Sequence, residues 1–449
     1  MLGRDRAVLR LQAAGQAVQT YARALGKWIL LAGVTGVLCG ALGSAFHHAV
    51  ELVTSAREAH AWLLWLLPVA GLAVVAIYRL LKVEGVGTND VIDEVHLGKG
   101  LPLTLLPAIF SATVLTHLFG GSAGREGAAL QMGGTVGYHV GRLLRLDDRD
   151  LRTATMTGMA AFFTALFGTP LAATIFAMMV ISVGVFYHAD FLPCLVGSLV
   201  AFGVSLLLGV EPTRFVLTAP DLSAGMLLRV AGLGALCGLT ASLFCHSMHI
   251  AERLLKRLLP NPWLRALAGG AAVVLLTLAV GAQTYNGAGM GVIRAAIEGG
   301  TAPTLGFLFK ILFTAITLGA GFKGGEVVPS FFVGATFGCV VGPLLGIPAE
   351  FSAALGLSAV FCGATNCPVA SIFLSMEMFG GQGLLFFALA CGLSYLFSGY
   401  SGLYSSQKIL YSKLEARFIN IHTNSTPPPI ATSAEGDSSN DSASEKGAK

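Results

Sequence analysis

Charge is scarce in this chain. Asp, Glu, Lys and Arg make up 12% of its 449 residues, about half the share of a soluble globular domain. Long stretches hold none at all: Trp28 to Val50, Gly100 to Gly124, Thr153 to Ala189, Val327 to Ala349, Phe351 to Met376 and Met378 to Gln407. Each reaches or exceeds the ~20 residues a membrane-spanning helix needs. With 54% hydrophobic residues and a mean hydropathy of +0.74, water is excluded as the solvent for most of the molecule. The short alternating segments of a membrane β-barrel are also missing, which leaves an all-α, multi-pass membrane protein in a lipid bilayer.

Other absences narrow the chemistry. The eight cysteines (Cys39, Cys194, Cys237, Cys245, Cys339, Cys362, Cys367 and Cys391) lie in apolar runs without CxxC or metal-ligand spacing, so they read as small core residues. There is no HExxH, P-loop or dinucleotide fingerprint, and no metal, cofactor or nucleic-acid partner is expected. Gly120-Gly121-Ser122-Ala123-Gly124 fits G-x-S-x-G, but the run before it, Leu103 to Leu118, is helical rather than a strand, so a serine hydrolase, or any enzyme, is not expected.

The charges that exist are placed unevenly. Arg4, Arg6, Arg10, Arg23 and Lys27 precede the first span, and Arg142, Arg145, Arg149 and Arg152 share one short polar loop. Both are expected on the cytoplasmic side, and the N-terminus does not read as a cleavable signal peptide. From His422 on, the chain is rich in Ser, Thr, Pro, Asn and Asp, and a disordered tail, 422–449, is expected.

The chain repeats itself. Ala32-Gly33, Cys39-Gly40, Ser44, Phe46 and His48 return as Ala231-Gly232, Cys237-Gly238, Ser242, Phe244 and His246. Gly124, Glu126 and Gly134 return as Gly324, Glu326 and Gly334, an offset of 200, and Gly158, Phe163 and Pro170 as Gly356, Phe361 and Pro368. Three blocks in one order predict two copies of one fold: a cytoplasmic amphipathic segment over 1–27, repeat 1 over 28–210, a linker over 211–227 and repeat 2 over 228–421. Transporters built this way place broken helices at the repeat interface near mid-membrane.

Three glycine-rich interruptions mark such breaks: Gly85 to Asn89, Gly120 to Gly127 and Gly321 to Pro329. Each is followed by a helical pattern. A helix that starts inside the bilayer offers its first N–H groups and the positive end of its dipole to an anion. Glu126 and Glu326, the two acids at matching positions of the repeat, lie deep in the membrane and are hence candidate functional groups. An ionised Glu126 can occupy an anion site as a tethered competitor and leave when protonated. The bland alternative is that both glutamates cap their helices.

The chain resembles the CLC chloride channels and anion transporters over nearly all of residues 28–415. The likeness rests on Gly124-Arg125-Glu126-Gly127, on Gly324-Gly325-Glu326-Val327-Val328-Pro329, on Gly85-Val86-Gly87 and on Leu403-Tyr404-Ser405. It implies a homodimer with one pathway per subunit and two inverted repeats of broken and tilted helices. It also implies Glu126 as the gating and proton-exchanging residue and anion contact from Val86, Gly87, Asn89, Gly124, Arg125, Gly127, Val327, Val328 and the Tyr404 hydroxyl. Departures are informative. Val86 stands where chloride-selective members place Ser, and Met179 and Val180 stand where proton-coupled chloride exchangers carry an acid. Gly-Gly-Glu-x-x-Pro is instead similar to the fluoride-exporting branch, in which a second glutamate, here Glu326, enters the pore. The expectation is a halide carrier of the bacterial inner membrane, a fluoride/proton antiporter ahead of a chloride channel or chloride/proton exchanger.

Overall fold

The computed structural model of the chain describes residues 2–415 and 417–426. Repeat 1 supplies α1 (Leu2–Ala59), α2 (Leu67–Leu80), α3 (Thr88–Leu97), α4 (Leu105–Leu118), α5 (Glu126–Leu143), α6 (Asp148–Phe167), α7 (Pro170–Met179) and α8 (His188–Leu207). Repeat 2 supplies α9 (Ala224–Leu258), α10 (Pro262–Val280), α11 (Met290–Gly299), α12 (Gly306–Gly319), α13 (Val327–Val341), α14 (Ala349–Thr365), α15 (Pro368–Phe379) and α16 (Leu384–Phe397). The two sets correspond one to one. Among the described residues, α1, α8, α9, α10 and the runs Ala61–Leu80 and Val327–Leu345 are long and apolar enough to cross a bilayer.

Local chemistry sets the boundaries in pairs. Pro170 and Pro368 open α7 and α15, where the missing N–H costs nothing. Gly168 and Asn366 close α6 and α14 in the left-handed region, at φ 69° and 58°. Residues 2–27 of the expected N-terminal segment are the first part of α1, which runs unbroken through them. Lys27 pairs with Asp150, so the start of the first span and the arginine-rich loop between α5 and α6 lie on one side of the molecule. Within the expected linker, the Thr213 N–H donates to Phe167 O and the Phe215 N–H to Met378 O, both at 2.9 Å.

At the centre α5 packs on α6 and α13 on α14, with both pairs buried almost all round. Gly133 and Gly137 on α5, like Gly334 and Gly338 on α13, allow backbone-to-backbone contact. A Cβ on Gly137 would collide with the Ala154 carbonyl oxygen, and one on Gly338 with that of Ser352.

These glycines also correct the register of the repeat. α12 begins 201 residues after α4, at Gly306 against Leu105, and α13 begins 201 after α5, at Val327 against Glu126. Aligning identical letters gives 200. In three dimensions Glu326 therefore matches Arg125, each being the residue before its helix, and the counterpart of Glu126 is Val327. Gly124 and Gly325, equivalent in this register, form an antiparallel bridge. The Gly124 N–H donates to Gly325 O at 2.7 Å and the Gly325 N–H to Gly124 O at 2.8 Å. Equivalent residues paired antiparallel lie on a two-fold axis, so the copies are related by a half-turn, as inverted repeats are.

A small sheet, absent from the sequence reading, joins the repeats: β1 (Ser182–Val183) runs parallel to β2 (Lys408–Tyr411), which pairs antiparallel with β3 (Phe418–His422). The expected disordered tail thus starts at the last residue of β3; its residues 427–449 lie outside the described residues.

Candidate ion pathway

The Gly124–Gly325 bridge places the first turns of α5 and α13 close together. Glu126 is fully buried at 0% exposure. Its Oε2 accepts from the Arg125 N–H at 2.9 Å and, across the two-fold, from the Val328 N–H at 3.2 Å. A carboxylate from repeat 1 thus caps the helix of repeat 2, on the amides that would hold a small anion. Its other oxygen, Oε1, has no partner among the described residues. A Cβ at Gly124 would collide with Oε2, and one at Gly127 would stand 2.9 Å from Gly324 O, which explains the glycines on both sides of Arg125-Glu126.

Two cavities open near this bridge, and the carboxylate lines one of them. One, about 500 Å³, is lined by Glu51, Arg57, His117, Arg125, Glu126 and Val328, among others. The second, about 620 Å³, is lined by Val86, Gly87, Asn89, Lys323, Glu326 and Tyr404, among others. They are symmetry mates in backbone: the Glu126 vestibule is walled by α1 and the start of α11, the Tyr404 vestibule by α9 and the start of α3. Gly287-Ala288-Gly289 before α11 is therefore a fourth interrupted helix start, the mate of Gly85-Val86-Gly87. Its Gly-x-Gly pattern was present in the sequence but was not singled out.

Gly124, Arg125, Glu126, Gly127, Val327 and Val328 come together at the bridge. α3 joins them through Thr88, whose hydroxyl accepts from Gln131 Nε2 at 3.1 Å and reaches Gly127 O at 3.5 Å. The expected open amides of the first segment are partly used: the Val86 N–H donates to Val83 O at 3.1 Å and the Gly87 N–H to Asp90 Oδ2 at 2.8 Å. Asn89 Oδ1 accepts from the Ser406 N–H at 3.1 Å, tying α3 to the segment that carries Tyr404. That segment is held by the Leu403 N–H on Ala364 O at 2.9 Å and by the Thr423 hydroxyl on Tyr404 O at 2.5 Å. Tyr404 is 2% exposed, and its hydroxyl has no partner among the described residues. Buried hydroxyls are normally satisfied, so this one is free for a ligand.

Other polar side chains have structural work. Glu377 caps α7, accepting from the Leu171 N–H at 3.0 Å and the Ala172 N–H at 2.8 Å. His96 bonds Ile181 O. Ser122 bonds the hydroxyls of Thr314 and Thr317, not a histidine. Lys310, on α12, was missed although it is the lone charge between Glu298 and Lys323; buried, it donates to Gly287 O at 2.6 Å and Tyr285 O at 3.2 Å.

Fold and site together define a polytopic helical membrane protein with two vestibules, one of them lined by a buried carboxylate seated on backbone amides. Residues 70–399 match the family described as voltage gated chloride channel. A "Chloride/fluoride channel protein" of Pseudomonas syringae pv. tomato is 38% identical over 398 residues, covering 87% of this chain and 88% of that protein. An "H(+)/Cl(-) exchange transporter ClcA" of Vibrio cholerae is 27% identical, covering 78% and 81%. Among solved structures, a CLC-type fluoride/proton antiporter superposes with a TM-score of 0.82 at 35% identity, covering 86% of this chain and 98% of that one. The chain belongs to the voltage gated chloride channel family, whose members are channels or ion exchangers and not enzymes.

Proposed function

We propose that this protein exchanges fluoride for protons across a cell membrane, with Glu126 as gate. The observation that carries the reading is the Glu126 carboxylate on the Val328 amide, between two vestibules that do not share it. While ionised it competes with the halide for the amides; protonated, it loses the charge that makes those bonds strong, swings away and carries its proton. Gly124 and Gly127 leave the room for that swing. Arg125, Val327 and Val328 present the backbone at the gate. Val86, Gly87, Asn89 and Tyr404 line the approach from the other vestibule. Glu326, on that side, is the second proton-exchanging group.

Fluoride is favoured over chloride because a smaller anion must be repaid for a stronger hydration shell by more donors. The Tyr404 hydroxyl, the Gln131 amide and the α3 amides beyond Gly87 supply them. The likeness to a chloride/fluoride channel protein and to a fluoride/proton antiporter supports the same choice. A chloride carrier is the second reading, favoured by the apolar Val86 and Val328.

The positive-inside rule puts the start of α1 in the cytoplasm, so the Glu126 vestibule, walled by the far end of α1, opens outward. The bacterial inner membrane and a homodimer with one pathway per subunit complete the proposal. Reconstitution into liposomes tests it, with fluoride and chloride efflux measured beside proton uptake. Fluoride and protons moving together, both stopped by Glu126→Gln, is the expected result. Chloride efflux that ignores a pH gradient overturns it.

A further inference from the structure

We infer that the outer vestibule holds a second halide site, built on the Arg57 side chain and separate from the amides that Glu126 occupies. The inference rests on the halide-transport reading. Arg57, near the end of α1, is 5% exposed and lines the same cavity as Glu126. Its Nε and Nη1 have no hydrogen-bond partner among the described residues. Its one acidic neighbour, Glu58, stands 3.5 Å from Nη2 with its side chain 68% exposed, where water screens it. A buried guanidinium with two idle donors is costly unless something accepts from them.

The surroundings say what that something is. Arg57 packs over Gly287, where a Cβ would stand 2.6 Å from Nη1, and the Gly287 carbonyl accepts from Lys310 Nζ at 2.6 Å. Lys310 has only carbonyl partners and the Phe332 ring, 5.2 Å away; among the described residues no acid bridges it. Two buried cations therefore share one shelf without a buried acid beside them; of the other acids that line the cavity, Glu51 has an exposed side chain on α1 and pairs with His47, and Glu126 is the movable gate. His117 does not fill the donor role. Its Nδ1 meets the Thr113 carbonyl at 2.9 Å and so must donate there, leaving a lone pair on Nε2 in the neutral ring. The missing partner is a small monovalent anion, drawn in from outside, that waits on Arg57 until the gate frees the Val328 amide.

External fluoride uptake into liposomes, at ionic strength fixed with gluconate, tests this in the full-length protein. Arg57→Gln is expected to raise the half-saturating external fluoride five- to tenfold while the fluoride-to-proton ratio stays at the wild-type value. Arg57→Lys, which keeps the charge, should stay within about twofold of wild type. Glu58→Gln changes an exposed side chain and so survives folding even if Arg57→Gln does not; by removing the rival acid it should lower the half-saturating concentration about twofold. Half-saturation unchanged in both Glu58→Gln and the folded Arg57→Gln would overturn the site while leaving transport intact, the idle donors then being satisfied by water. Absence of fluoride flux in the wild type would instead bring down the transport reading and this site with it.

Discussion

Replacing Glu126 with Gln keeps the shape of the side chain and removes its charge. Oε2 holds two backbone N–H groups, those of Arg125 and Val328. A hydrogen bond to a charged acceptor contributes roughly 1.5–3 kcal/mol net, a neutral one about 0.5–1.5, so neutralising the acceptor weakens the two bonds by about 2 kcal/mol in total. A halide that must displace this side chain from the amides meets that much less resistance, and its affinity should rise about 30-fold. Isothermal titration of the purified variant with sodium fluoride measures this directly. The pH profile supplies the second readout. In the wild type, lowering the pH neutralises the competitor, so fluoride binds more tightly as protons are taken up; in the Gln variant there is no proton to bind and the profile should be flat across the same window. A variant that binds fluoride no more tightly than wild type, or one whose affinity still follows pH, would refute the view that the carboxylate occupies the anion's place.

Glu326→Gln is expected to lose proton movement before it loses fluoride flux, and full coupled activity in that variant would remove Glu326 from the mechanism. Tyr404→Phe deletes a hydroxyl that bonds none of the described residues, so the melting temperature should hold while fluoride affinity falls about 3- to 10-fold, the worth of one neutral hydrogen bond; a stability loss with unchanged affinity would contradict this. Gly137→Ala forces a methyl onto the Ala154 carbonyl and should cost about 1–3 kcal/mol, read as a lower unfolding temperature, whereas Gly203→Ala, with nothing within 4 Å of its Cβ, should leave it unchanged.

Much of this was legible in the sequence because the bilayer writes simple rules into it. Charge-free runs marked the helices of the core, since a charge in hydrocarbon is expensive. The glycine-rich breaks at Gly85, Gly120 and Gly321 marked α3, α5 and α13, because a helix start inside the membrane needs a backbone that others can approach. What was hidden depends on distance in space. Arg57 and Lys310 acquire meaning only from the Gly287 carbonyl and from the acids that are not near them. The sheet formed by β1, β2 and β3 is made of short pieces, and its first pair, β1 with β2, joins residues more than two hundred apart, Ser182 with Lys408. The register of the repeat misled for another reason: a shared letter, Glu, outweighed the spacing of the glycines Gly133 and Gly334, which touch the neighbouring helix and so record where each residue sits.

The corrected register changes the meaning of the two glutamates. If Glu126 and Glu326 were equivalent, the half-turn would present the same acid to both faces, and nothing in the side chains would distinguish outward from inward. Instead the two-fold sets Arg125 against Glu326, a cation lining one vestibule and an acid lining the other. The backbone symmetry gives the central carboxylate two similar cavities to exchange with, which alternating exposure of one site requires. The side chains of those cavities differ all the same: Arg57 and Arg125 line the gate side together with Glu51, Glu58 and Glu126, while Glu252 and Glu326 line the other together with Lys256, Arg265 and Lys323. On the antiport reading, anion and proton need not share a path up to the point where both act on Glu126. Exchange then follows from competition at one carboxylate: the proton that removes it from the Val328 amide is the event that admits the halide.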